Sequence, residues 1–175
     1  MGSMAKTKIL LVDDDNKVRE ATSIILSALD CEILEASTGN ESLEKVYGFR
    51  PDLVVLDVVL PDIDGFTICK KIKSDPELKG TFVVLVSGVK ISSDHQAQGL
   101  ESLADSYIQR PFATREFIAR IESIIRIQKT EKALRESEEK FKTIFDNAKD
   151  AIYIHDLKGN FLEVNETSFK RIGYS

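Results

Sequence analysis

The chain has 175 residues, of which 42% are hydrophobic and 30% are charged, and its net charge is -5. A chain of this length can hold one domain of ordinary size and a smaller second segment. The acidic balance argues against a nucleic-acid partner, because phosphate contacts need clustered Lys and Arg. No apolar run approaches the roughly 18 residues of a membrane span and there is no signal peptide, so we expect a cytoplasmic protein without membrane contacts.

Continuous apolar runs predict five strands after residues 1–7, which are typical of a tag remnant and a short N-terminal lead. The runs at 9–12 and 53–57 are rich in Ile, Leu and Val, as strands buried on both faces of a sheet are. The other strands are predicted at 32–36, 81–86 and 106–108. Asn16 is the predicted cap of the first helix and Gly48 the predicted stop of the second, at 41–47. Three more helices are expected at 66–74, through 100–103, and at 113–126.

This alternation predicts an α/β fold with a doubly wound parallel sheet, in which the carboxyl ends of all strands share one edge. Asp13 and Asp14 follow the first strand, Asp57 ends the third, and Ser87 and Arg110 follow the fourth and fifth. Clustered carboxylates suit Mg²⁺, and a carboxylate that is not fully coordinated can attack phosphorus. These residues predict a Mg²⁺-dependent aspartyl phosphorylation site, whereas Asp57 by itself would more often be an N-cap or turn residue.

These motifs, in this order and spacing, resemble the receiver domain of two-component response regulators over residues 8–128. The segment 9–15 resembles the family's first strand and acidic pair, and 60–65 resembles the loop after the phosphoacceptor. Arg110-Pro111-Phe112 falls where the family usually carries Lys-Pro-Phe. The resemblance implies a flavodoxin-like receiver with strand order 2-1-3-4-5.

The resemblance also implies a role for each site residue. Asp57 would accept a phosphoryl group from a histidine kinase or a phosphotransfer protein. Asp14 and Asp57 would bind Mg²⁺ directly, Asp13 would act through water, and the backbone carbonyl of Val59 would complete the protein ligands. No kinase domain is present, so the expected chemistry is limited to phosphorylation and dephosphorylation of Asp57.

The resemblance further implies a switch. Ser87 would turn toward the phosphate and Tyr107 would move inward. These changes would alter a face made of the fourth helix, fifth strand and fifth helix, which a downstream domain or protein would contact.

Two residues depart from the family pattern. Arg110 stands where the family has a lysine, and a planar guanidinium is not equivalent to an ammonium group. Leu103 stands where the family commonly has glycine, so a turn that accepts a left-handed residue would be strained or reshaped there. The resemblance also implies a cis peptide bond before Pro111.

A charged linker helix is predicted at 129–145 as a continuation of the fifth helix, because the segment has good helix formers and no Gly or Pro. Ile127, Leu134 and Phe141 are seven residues apart, as in a coiled coil, but Thr130 and Ser137 occupy the intervening positions. Two interpretations therefore stay open, a parallel homodimer through this helix and a solvated single helix.

Residues 146–175 resemble the start of a PAS sensor domain, with a hairpin around Lys158-Gly159-Asn160. The segment is expected to be an incomplete PAS domain that binds no cofactor. His155 is expected to be structural or exposed and not a metal ligand.

Three functions can be compared at this point. The first is a phosphoacceptor module of a phosphorelay. The second is a pseudo-receiver that acts as an interaction module without phosphorylation, which Arg110 and Leu103 support. The third, a phosphohydrolase with an aspartyl nucleophile, is disfavoured because no second carboxylate lies two residues after Asp57 to act as general acid.

Overall fold

The computed structural model of the protein describes residues 6–88 and 103–172. The chain divides into two compact units, one up to Lys129 and one from Thr130. The helix predicted through 100–103 lies almost wholly outside the described residues. None of the helices within the described ranges is long and apolar enough to span a bilayer.

The first unit is built on a five-stranded parallel sheet with the order β2-β1-β3-β4-β5. Ile9 of β1 lies opposite Leu53 of β3, which in turn lies opposite Phe82 of β4. The predicted fold class and strand order are confirmed. The strands are β1 (Thr7–Val12), β2 (Cys31–Ala36), β3 (Leu53–Asp57), β4 (Phe82–Ser87) and β5 (Ser106–Gln109).

Side chains alternate along these strands, so one buried cluster forms on each face of the sheet. Leu10 and Val54 contribute to the cluster on the side of α2 and α3, and Ile9 and Val55 to the cluster on the other side. The central strands are buried on both faces, which is why their sequences are continuous apolar runs. The helices are α1 (Asn16–Leu26), α2 (Gly39–Phe49), α3 (Gly65–Ser74) and α4 (Thr114–Asp146), with a 3₁₀ turn at Pro76–Leu78.

Two predicted helix ends are wrong. Asp15, not Asn16, caps α1, because its carboxylate accepts hydrogen bonds from the N–H groups of Lys17 and Val18 at 2.8 and 3.2 Å. Helix α2 continues through Gly48 and ends at Phe49, and its C-cap residue Arg50 adopts the left-handed conformation with φ 52°. The Arg50 N–H still reaches a helix carbonyl, that of Val46, at 2.9 Å, so the helix end is satisfied without a glycine.

The second unit contains the end of α4 and an antiparallel hairpin of β6 (Tyr153–His155) and β7 (Phe161–Val164), followed by α5 (Glu166–Ile172). The hairpin is where the sequence predicts it, and His155 is exposed as expected. Helix α4 is unbroken through the predicted linker, so that continuation is confirmed. Leu134 and Phe141 are exposed on it, which leaves the coiled-coil and single-helix interpretations both open.

Candidate functional site

The predicted carboxylates meet at the carboxyl edge of the first unit's sheet. Asp13 follows β1 and is 1% exposed, Asp57 ends β3 and is 9% exposed, and Asp14 lies at the surface. One carboxylate oxygen from each of the three lies within 4.8 Å of the others. Like charges at this spacing repel one another, so the site favours a cation among them.

Arg110 supplies a cation from the chain itself. Its Nη2 donates a hydrogen bond to Asp13 Oδ2 at 2.6 Å, and its Nη1 lies 3.7 Å from Asp57 Oδ1. Its backbone N–H donates to the carbonyl of Ser87 at 2.7 Å, and the bond to Pro111 is cis as expected. The guanidinium therefore spans two of the three carboxylates, and it holds Asp13 more closely than Asp57.

Sequence reasoning missed a second arginine beside the site. Arg19 on α1 donates from Nη1 to the carbonyl of Asp13 at 2.7 Å, and its Nε pairs with Glu35 at 3.2 Å. This contact ties the backbone after β1 to α1. Nothing in the local sequence distinguishes Arg19 from other charged residues on an exposed helix face, so the sequence carries no signal for it.

The environment of Asp57 changes its acidity. Burial raises the pKa of this carboxyl to about 6, the Arg110 guanidinium lowers it in part, and the charge of Asp13 raises it again. The Val58 N–H, which donates to Asp57 Oδ1 at 2.9 Å, stabilises the ionised form. At neutral pH the carboxylate is therefore mostly ionised.

The loop from Asp57 to α3 brings the start of α3 into close contact with the end of β3. A Cβ on Gly65 would lie 2.4 Å from the carbonyl oxygen of Asp57, so only glycine lets α3 begin against that strand end. Asp64 caps α3 by accepting a hydrogen bond from the Thr67 N–H at 2.9 Å. Val59, the predicted carbonyl ligand, is exposed in this loop.

The remaining predicted residues lie along β4 and β5. Ser87 is buried at the end of β4, one residue past Val86, the neighbour of Asp57 across the sheet. Tyr107 of β5 is half-buried against the cluster on the α2 and α3 side. Leu103 has φ 61°, the left-handed conformation that the sequence predicts to be strained for a residue with a side chain.

A family model for the response regulator receiver domain matches residues 9–122, which is most of the chain. The chain belongs to the response regulator receiver family. Among solved structures it is similar to a CheY-like response regulator receiver domain protein from Methanospirillum hungatei JF-1, at 29% identity and a TM-score of 0.67, covering 73% of this chain and 99% of that one. It is also similar to the BeF3-activated DrrB receiver domain, at 32% identity and a TM-score of 0.60, covering 70% and 99%.

Curated relatives match most of this chain. The alkaline phosphatase synthesis transcriptional regulatory protein PhoP of Bacillus subtilis is 36% identical over 151 residues, covering 86% of this chain and 59% of PhoP. The response regulator MprA of Mycobacterium leprae is 37% identical over 126 residues, covering 72% of this chain and 54% of MprA. The chain thus spans little more than half the length of these two relatives.

A PAS domain model matches residues 139–175, so the predicted order of a receiver followed by a PAS segment is confirmed. The match begins within α4, before the hairpin. The predicted boundaries of 8–128, 129–145 and 146–175 stay predictions.

Proposed function

We propose that this receiver domain is a phosphoacceptor of a two-component phosphorelay, and that Asp57 takes the phosphoryl group from a histidine kinase or a phosphotransfer protein. The observation that supports this most directly is the meeting of Asp13, Asp14, Asp57 and the Arg110 guanidinium at one sheet edge. In the transfer, an ionised Asp57 oxygen attacks phosphorus. The phosphorus–nitrogen bond of the phosphohistidine then breaks, and its electron pair stays on the imidazole.

The donor set of this edge fits Mg²⁺. All candidate ligands are oxygens, and three carboxylates lie close enough to share one ion. Asp14 and Asp57 would bind directly together with the Val59 carbonyl. Asp13 fits a role through water, because its Oδ1 already accepts the Asp15 N–H at 3.0 Å and its Oδ2 accepts Arg110. When bound, Mg²⁺ would neutralise charge on the phosphoryl oxygens.

Arg110 and Ser87 would complete the site around the phosphoryl group. The guanidinium lies 3.7 Å from Asp57 Oδ1, close enough to offset the negative charge of a phosphoryl group held on Asp57, and the Ser87 hydroxyl would donate a hydrogen bond to that group. Ser87 and Tyr107 would then act as the switch. The output face would comprise the segment through 100–103, β5 and the start of α4, where a downstream domain or protein would bind.

We place this activity in the cytoplasm. The curated relatives include a transcriptional regulatory protein, so the expected absence of a nucleic-acid partner stays a prediction.

The first experiment is phosphorylation by acetyl phosphate, read by intact mass, with and without Mg²⁺. We expect a phosphoryl adduct on the unmodified chain that needs Mg²⁺ and is lost in Asp57→Asn. Asp75→Asn is the matched control, because Asp75 is a half-buried capping residue at the far end of α3. An adduct that survives in Asp57→Asn would overturn the assignment of the phosphoacceptor.

The second candidate function is a pseudo-receiver that binds partners without phosphorylation. The 2.6 Å pair between Arg110 and Asp13 favours it, since a built-in cation already offsets part of the acidic charge. This candidate requires that neither Mg²⁺ binding nor an adduct is seen in the folded protein. Arg110→Lys would then show whether the arginine is the cause.

A further inference from the structure

The loop between β3 and α3 is held to a helix that the proposed chemistry does not use. Residues 58–64 belong to no helix or strand, although they carry the Val59 carbonyl. The loop is fixed at its base, because the Val58 N–H donates to the Val86 carbonyl at 3.0 Å and the Gly65 N–H donates to the Val58 carbonyl at 2.9 Å. Leu60 and Ile63 of the loop pack against the core cluster on the α2 and α3 side, and the exposed tip at residue 62 has a further, polar attachment.

Asp62 provides that attachment. Its Oδ1 accepts the Gly39 N–H and its Oδ2 accepts the Asn40 N–H, both at 2.8 Å. Gly39 and Asn40 are the first two residues of α2, whose N–H groups have no partner within the helix. Oδ1 also accepts the N–H of Ile63 at 2.9 Å, which fixes the carboxylate relative to its own loop.

The hydrogen bonds at the start of α2 are divided between two side chains. The Thr38 hydroxyl caps the N–H of Glu41 at 3.2 Å, and the Thr38 carbonyl accepts the N–H of Ser42 at 3.0 Å. Asp62 accepts the two remaining N–H groups of the first turn, those of Gly39 and Asn40, which Thr38 does not bind. The backbone N–H groups of Asn40 and Gly39 hold the pKa of Asp62 below its usual range, as expected for a carboxylate at a helix N-terminus.

The contact between loop and helix is also tight in shape. A Cβ on Gly39 would lie 3.1 Å from Asp62 Oδ1, 3.0 Å from Ile63 Cβ and 2.8 Å from Ile68 Cδ1. The absence of a side chain at residue 39 therefore lets the loop tip lie directly against the first turn of α2.

We propose that Asp62 is a positioning residue for the metal site, because it clamps the loop 58–64 to α2 and so holds the Val59 carbonyl in place for Mg²⁺. This inference rests on the proposed function, in which that carbonyl is a ligand. Groups that orient metal ligands typically change metal affinity by 10–100-fold when they are removed.

The test is a titration of the full chain with MgCl₂, followed by amide NMR shifts. We expect the Mg²⁺ dissociation constant to rise about tenfold in Asp62→Ala. Asp62→Asn keeps one acceptor oxygen and should fall between Asp62→Ala and the unmodified chain. Gly39→Ala keeps the carboxylate but pushes the loop away, so it should also weaken Mg²⁺ binding. Asp75→Ala removes a capping carboxylate elsewhere, at the 3₁₀ turn Pro76–Leu78, and should leave the affinity unchanged.

The outcomes separate the two proposals. If the unmodified chain binds no Mg²⁺, the proposed metal site is wrong and the role of Asp62 falls with it. If the unmodified chain binds Mg²⁺ and both Asp62→Ala and Gly39→Ala bind it equally well, only the positioning role is overturned. Should Asp62→Ala fail to fold, Asp62→Asn and Gly39→Ala decide the question in the same way.

Discussion

The two units of this chain stabilise their folds by different means. In the receiver, the central strands β1, β3 and β4 are buried on both faces, and Phe117 of α4 is fully buried among them. In the second unit, every residue of β6 and most of β7 are exposed, and Phe161 is 68% exposed. Its centre is a polar side chain, Asn165, which is fully buried. The receiver therefore depends mainly on apolar packing and the second unit on a small hydrogen-bond network.

The largest expected effect comes from removing matched aromatic side chains in the two units. Phe117→Ala should lower the free energy of unfolding by about 3–5 kcal/mol, because it leaves a cavity and removes the stacking on Phe112 at 4.5 Å. Phe161→Ala should change it by about 0.5 kcal/mol or less, since that ring is mostly in water already. Urea unfolding followed by far-ultraviolet circular dichroism measures both. Equal effects would contradict the contrast between the units.

At the acidic edge of the receiver, burial of the Asp57 carboxylate lowers the stability of the folded protein. The pKa of Asp57 is raised from 3.8 to about 6, so the folded protein binds more protons than the unfolded one between these values. Stability therefore falls as pH rises through this window and stays lower above it. Asp57→Asn removes the penalty and should be more stable by about 2–3 kcal/mol at pH 7.5 in EDTA, with the difference closing toward pH 4.

Chemical denaturation of the two proteins across this pH range measures the difference. Repeating it with Mg²⁺ should narrow the gap at pH 7.5, because the ion would offset the charge on Asp57. A gap that stays constant from pH 4 to 7.5 would show that titration of Asp57 is not its source.

A smaller loss than that of Phe117→Ala is expected from a change within the second unit. The side chain of Asn165 accepts the N–H groups of Ile152 and Ser168 and donates to the carbonyls of Phe145 and Asp150, at 3.0–3.1 Å. Asn165→Ala removes these four side-chain hydrogen bonds, while the Ser168 N–H keeps its bond to the residue 165 backbone carbonyl at 3.0 Å, and should cost about 1–2 kcal/mol. Hydrogen exchange should report lost protection in residues 141–172 and none in β1, β3 and β4. The exposed variant Asn160→Ala is the control, and an equal loss there would argue against a special role for Asn165.

The receiver sheet and its acidic edge follow from the sequence because their signals are local. Buried parallel strands require continuous apolar runs, and topology then brings Asp13, Asp14, Asp57, Ser87 and Arg110 to one edge regardless of detailed packing. At Leu103 the resemblance predicts a turn that is either strained or reshaped, and the structure has the left-handed conformation there.

Other features depend on contacts that sequence spacing does not encode. Any of the residues 13–16 could cap a helix by its side chain. Asp15 is the cap because the backbone after β1 places it directly before the first turn of α1. The bonds from Asp62 to α2 join residues 22 and 23 positions apart, and so no local pattern predicts them. Arg50 caps α2 where a glycine is the usual residue, and its guanidinium pairs with Glu77, 27 positions away, at 2.7 Å.

The ion pairs of Arg110 have a consequence for the charge balance of the site. Three ionised carboxylates and one guanidinium leave a formal charge of -2, from -3 and +1. A divalent cation would bring this to zero, so the resting site would present no net charge to a partner. Transfer of a phosphoryl group replaces the single negative charge of Asp57 with about two, as for other phosphorylated side chains. The signal would then be a single unbalanced negative charge at a sheet edge that was otherwise neutral.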